Sequence, residues 1–314
     1  MASQEINTKH IEEQQVRCSF IERENSTNDR RTQIVHFDSF AQMTEVCKNG
    51  QKDFGWTNED TFRYDDTEED TWRFGDEFSN YQETEKALTE GRNSEGVMEE
   101  LEKLKEKLDA KVGGKSNNGF SVKRKRRFAE EGSELNIDRL MGGDQAHWMK
   151  MSRNNTPPIV NLYISISANG GVEDEDFNKC AAMAIFNARH LEKMGFSTSI
   201  TAITCSRIST NDRAEYFSME VPVKKANERL DVQRISTICL PGIFRQFTFS
   251  IRENLVASGK SSGGDGSSPG VTQDLKDFYK IKPANLIDVA EIGDKDFFQF
   301  SGDKLEELFK SIGL

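Results

Sequence analysis

Residues 158–314 predict a three-layer α/β domain, and the residues before them an irregular, acidic, α-rich part. Two stretches carry the prediction. IVNLYISISANGG (159–171) is an almost continuous apolar run rich in Ile, as in a strand buried on both faces. DEDFNKCAAMAIFNARHLEKMG (174–195) is a long amphipathic helix opened by acids and stopped by Gly195, and FSTSITAITC (196–205) is a second buried strand. Strand, long helix and strand in that order make a right-handed parallel βαβ unit.

The elements after this unit follow from the same patterns. AEYFSMEVPVKK (214–225) alternates, as an antiparallel edge strand does, and ERLDVQRISTICLPGIFRQFTFSIREN (228–254) has helical spacing interrupted at Pro241. ASGKSSGGDGSSPG (257–270) has the composition of a flexible loop. ANLIDVAEI (284–292) reads as a short strand, and SGDKLEELFKSIG (301–313) as a terminal helix capped by Ser301 and ended by Gly313. From about Pro158 the order is β-α-β-β-α-β-α.

Upstream, residues 1–30 read as a flexible arm and residues 31–112 as an acidic, aromatic-rich α subdomain. In IVHFDSFAQMTEVCKNG (34–50) a short strand leads into a helix capped by Asp38 or Ser39. Residues 53–81 thread aromatic side chains through dense carboxylates, a pattern that fits a mini-core with solvated acids, or else a nucleic-acid mimic or an acidic docking surface for a basic partner. SNYQETEKALTEGR (79–92) is a helix stopped by Gly91, and GVMEELEKLKEKLD (96–109) sets Val97, Leu101, Leu104 and Leu108 on one stripe.

Residues 113–157 comprise a GGKSNNG linker and a basic docking segment. There SELNIDRLMGGDQAHWMK (133–150) reads as a cap, a short segment, a Gly-Gly break and a helix. Its apolar residues Leu135, Ile137, Leu140, Met141 and Trp148 are expected to dock on the α/β domain, with Arg139 in a buried ion pair.

Composition limits the function. The 314 residues carry a formal charge of -11 and 21 Phe, and the mean hydropathy is -0.70, consistent with a folded core and polar flanks. No apolar run approaches the roughly 18 residues of a membrane span, and the start lacks a basic-then-apolar signal pattern, so a cytoplasmic protein is expected. Five scattered cysteines without a CxxC pair read as buried, reduced thiols rather than a zinc site or a disulfide framework.

With its antiparallel strand after the second parallel one, this element order resembles the von Willebrand factor A domain. The resemblance implies a divalent-metal motif, DxSxS, at the end of the first strand. Tyr163-x-Ser165-x-Ser167 stands there, with both serines present and the aspartate replaced. Two neutral hydroxyls make a poor site for a hard cation, so no cofactor is expected; a divalent metal, if bound, would be held by Ser165 and Ser167. The chain also resembles an uncharacterised protein family of tailed bacteriophages, through HFDSFAQM, EFSNYQETEKALTEG, RKRRFAEEGSELNIDRLMGGDQAHWMK and VPVKKANERLDVQRISTICLPGIFRQFTFSIRE. That resemblance implies phage origin and a host-cytoplasm location, and transfers no catalytic residue.

Catalytic motifs are missing: none of the four histidines, His10, His36, His147 and His190, sits in one, and neither a phosphate loop nor a nucleophile elbow is present. The basic run Lys123, Arg124, Lys125, Arg126 and Arg127, with Trp148 for stacking, could bind phosphates or pair with the protein's own acids. The leading expectation is a non-catalytic phage protein that binds another phage or host protein, itself in an assembly, or a ring ATPase, the last by family analogy. A nucleic-acid-binding accessory factor is the alternative, and a metal-dependent enzyme the second.

Overall fold

The computed structural model describes residues 13–23, 30–54, 78–92, 94–113, 125–131, 134–152, 157–167, 172–209, 214–243, 247–248, 251, 270–293 and 295–313. In chain order these form β1 (Arg17–Arg23), β2 (Arg30–His36), α1 (Phe40–Phe54), α2 (Tyr81–Glu90), α3 (Glu95–Gly113), β3 (Lys125–Ala129), β4 (Glu134–Leu135), α4 (Ile137–Met141) and β5 (Trp148–Ser152). There follow β6 (Ile159–Ser165), α5 (Asp174–Lys193), β7 (Ser197–Ser209), β8 (Ala214–Lys224), α6 (Val232–Ile238), α7 (Gln273–Phe278), β9 (Leu286–Asp288) and α8 (Phe297–Ser311).

The protein is a mixed α/β fold whose main sheet has six strands in the order β1-β2-β8-β7-β6-β9. The pairs β2–β8, β6–β7 and β6–β9 are parallel, and β1–β2 and β7–β8 antiparallel. The parallel β6–α5–β7 unit stands as the apolar runs predict. One face of the sheet carries the large core, where Val35, Leu162, Ile164, Ala202 and Phe217 meet the buried sides of α1, α2, α3, α5, α6 and α8. The other face carries a smaller cluster of Ile34, Ile203, Cys205, Val271, Leu275, Ile281 and Leu286, beneath α7.

Helix α5 is the centre of the large core. From Phe177 to Leu191 only Asn178, Lys179 and Arg189 escape full burial, because the sheet lies on one side and α3 packs on the other. Its run of alanines allows close approach on both sides. The first turn is tied by a capping box in which Glu173 and Asp176 exchange side-chain and backbone bonds. The α3 stripe is sealed against it, with Val97, Leu101 and Leu104 at 0% exposure.

Three expectations are corrected. Residues 1–30, expected as a flexible arm, contain β1, which is held along its whole length against β2. Strand β8, expected at the sheet edge, is interior: β2 pairs with it in parallel, from Arg30↔Ala214 to His36↔Glu220. The α8 helix begins four residues before Ser301, with Asp296 accepting from the N–H groups of Phe298 and Gln299, and Ser301 is buried inside it. The other caps agree with the sequence: the Ser39 hydroxyl accepts from Gln42 N–H, and Gly91 and Gly313 end helices at φ 79° and 84°. The acid-rich residues 55–77, the linker 114–124 and the loop 257–269 lie outside the described residues.

The four described buried cysteines are Cys47, Cys180, Cys205 and Cys239; Cys18 is half-buried, and no disulfide joins any of the five. Burial pushes the Cys205 thiol up to about 12, which keeps it protonated and inert. Among the described residues, no helix is long and apolar enough to cross a membrane.

If α5 is held from both sides, the α3 contact must be costly to lose. Leu104→Ala is expected to destabilise the protein by about 2–5 kcal/mol, read as a fall in the urea midpoint. Glu106→Ala, on the exposed side of the same helix, should stay within about 0.5 kcal/mol.

Candidate functional site

Two places draw together residues singled out in the sequence. The first is a small second sheet of order β3-β5-β4, with β5 pairing antiparallel to both neighbours. Phe128 lies opposite Met149, and Leu135 opposite Trp148. Between β4 and β5 runs α4, whose Asn136 cap accepts from Arg139 N–H at 3.0 Å. The chain then reverses through Gly142 and Gly143, the latter at φ 76°.

Where a helix through His147 and Trp148 was expected, His147 ends the turn and Trp148 opens the strand β5. Nor is the apolar face docked: Phe128 is 45% exposed, Leu135 40%, Ile137 65%, Leu140 44% and Met141 83%. The reason is local. α4 has only five residues, too few to bury both sides of a stripe, and the β5 strand commits its backbone to β3 and β4. Arg139 is partly exposed: it bonds Asp144 at 2.8 Å, with both side chains 39% exposed, and lies 3.9 Å over the Phe128 ring. The pair expected to be buried is a surface clamp.

Of the basic run, Lys125, Arg126 and Arg127 form strand β3, opposite Ser152, Met151 and Lys150, while Lys123 and Arg124 lie outside the described residues. Trp148 is half-buried, its ring 6.2 Å from that of His147, whose Nδ1–H donates to the Asp144 carbonyl at 2.7 Å.

The second place is the carboxyl end of β6. Ser165 and Ser167 are 0% and 1% exposed, and Asp288, opposite Ser165 on β9, is 4% exposed. Asp288 had been legible only as part of a short strand, although a carboxylate closing a buried apolar segment is itself a signal. Its Oδ2 accepts from Val271 N–H at 3.3 Å and its Oδ1 from Ala290 N–H at 3.2 Å. Gly270, at φ 67°, comes so close that a Cβ there would stand 2.7 Å from Oδ2. Ser167 accepts from Cys205 N–H. Ser165 is near enough to Asp288 to favour its ionised form, without reaching the geometry of a formed hydrogen bond.

This donor set does not fit a magnesium-like cation. It offers one carboxylate with both oxygens committed to backbone amides, and one of its two hydroxyls is committed as well. Tyr163, where the motif has aspartate, is half-buried with its ring 6.2 Å from Tyr279, and faces the smaller apolar cluster. The arrangement ties the 270–271 turn and the turn after β9 onto the sheet.

A family model matches residues 10–313. The chain belongs to the family described as Domain of unknown function (DUF7192). No curated protein and no solved structure matches it. The DUF7192 match runs from before β1 to the end of α8, so the added strands β1 and β2, the small sheet and the α/β unit all lie within one family unit.

Burial raises the Asp288 carboxyl above its usual 3.8, against the opposing pull of Ser165 and the amides of Ala290 and Val271. A carboxyl raised in the folded state favours folding most when protonated. Its contribution is complete below 3.8 and is lost as pH rises through the folded value. The stability of the wild type relative to Asp288→Asn, measured by urea unfolding at a series of pH values, should therefore decline as pH rises from about 4 and then level off.

Proposed function

We propose that this DUF7192 protein is a phage-encoded binding and assembly protein of the host cytoplasm, built on a von Willebrand A-like domain and engaging a protein partner through its small second sheet. The observation that carries the reading is a concentration of exposed apolar surface. Of the eight exposed large apolar side chains among the described residues, five lie between Phe128 and Met141. Scattered exposed residues need no explanation, but a cluster in one short segment marks a contact surface. The β6–α5–β7 unit followed by antiparallel β8 supports the von Willebrand A resemblance, and the partner that resemblance suggests is a ring ATPase or a further copy of the chain.

The reading is tested by affinity capture from infected cells, comparing the wild type with an Ile137→Asp, Met141→Asp double variant. Both residues are exposed, so the variant should fold as the wild type does. A partner retained by the wild type and reduced at least about tenfold by the variant is the expected result. Recovery of the bait alone would count heavily against it.

A second reading, nucleic-acid binding, is favoured by the edge position of β3, which carries Lys125–Arg127 beside the exposed Phe128. Neutralising Lys123 to Arg127 should then abolish a gel shift seen at low salt, and the wild-type shift should weaken steeply as salt rises. A shift that survives neutralisation would remove this reading.

A further inference from the structure

Three strands bring a serine, a histidine and a glutamate into line on the face of the sheet that carries the smaller core. Ser19 lies on β1, His36 ends β2 and Glu220 lies on β8. His36 stands directly opposite Glu220 in the β2–β8 register, and opposite Arg17 in the β1–β2 register, so Ser19 is on the same side of β1 as Arg17. The His36 Nε2 accepts from the Ser19 hydroxyl at 2.8 Å. Its Nδ1–H donates to Glu220 Oε1, which sets the tautomer that leaves Nε2 free to take a proton.

The surroundings are graded in a way that suits chemistry. His36 is 5% exposed and Glu220 16%, while Ser19 is only half-buried, so the base is sheltered and the hydroxyl can be reached. The rings of Phe278 and Tyr279 stand 6.4 Å from the imidazole and wall it on the α7 side, and Phe278 is itself 43% exposed. Arg17, 74% exposed, holds its Nη2 3.9 Å from Glu220 Oε1 at the open rim.

We propose that Ser19, His36 and Glu220 form a nucleophile, general base and orienting acid that accept acyl groups from small esters bearing a negative charge, which Arg17 attracts. The order of contacts is that of a serine–histidine–acid triad, recognised by geometry and roles rather than by position in the sequence. Ser19 Oγ forms a bond to the ester carbonyl carbon as its proton passes to His36 Nε2. The carbon–alkoxide bond breaks and the alkoxide leaves with that proton. Water then attacks the acyl-serine, again giving a proton to Nε2, and the proton returns to Ser19 as the carboxylic acid departs. No oxidant, reductant or metal enters the balance.

A network of merely structural hydrogen bonds would leave Ser19 as unreactive as any other serine, and this separates the two cases. The intact protein is treated with a fluorophosphonate probe and the labelled peptide is identified by mass spectrometry. Labelling at Ser19 is expected, lost in Ser19→Ala and slowed at least about a hundredfold in His36→Gln. Ser19→Ala removes one half-buried hydroxyl and serves as the folded control, checked by circular dichroism. Hydrolysis of para-nitrophenyl succinate should exceed that of the uncharged acetate, and Arg17→Gln should erase the preference. Absence of label at Ser19, or equal labelling rates in the wild type and His36→Gln, would overturn the proposal.

Discussion

The pairing of β2 with β8 is the contact on which the rest of the structure depends. It joins residues 30–36 to residues 214–220, far apart in the chain, as a parallel ladder seven residues long. Without it β8 would be the edge of the α/β sheet, and the β1–β2 pair would not be joined to that sheet. With it, β2 is stitched to β8, the strand that follows the βαβ unit, and α1, α2 and α3 are carried onto the same core. A parallel pair requires a long crossover, and here residues 37–213, more than half of the chain, lie within it.

The pairing also sets the chemistry of each sheet face. On one side Val35 joins the large core around α5, and on the other Ile34 joins the smaller cluster under α7. Because neighbouring residues point to opposite faces, the same seven-residue strand seals both. Where the smaller cluster runs out at the end of β2, the apolar ladder gives way to His36, Ser19 and Glu220. Polar groups there are tolerable because each is hydrogen-bonded to the next. At the other end of the sheet Asp288 does comparable work with backbone amides. The half-buried Glu220 and the buried Asp288 thus flank one apolar layer, while Phe128, Leu135, Ile137, Leu140 and Met141 in and beside the small second sheet are exposed.

Elements with strong periodicity were readable in advance. The β6 and β7 runs, the α5 helix and the Val97–Leu108 stripe are buried as their patterns require, because burial on one or two faces leaves a direct trace in residue order. The caps at Ser39 and Gly91 were also legible, since capping is a contact within three or four residues. The short elements were not. β4 and α4 are too brief to show a period, and Trp148 joined a strand because two partners of suitable register were at hand. The candidate sites were legible only in part: Ser165 and Ser167 could be named, but Asp288 and the line from Ser19 to Glu220 could not.

By itself the sequence determined a mixed α/β protein with a buried parallel core, reduced cysteines and a basic segment after an acidic amino-terminal part. Those are properties of local pattern and composition. Only the tertiary structure decided that β1 and β2 extend the sheet past β8, that the apolar residues of 128–141 stay exposed, and that His36 meets both Ser19 and Glu220. Each of these depends on register between segments remote in the chain. Register is set by which side chains must be buried together, and that sum is settled only when the whole sheet is assembled.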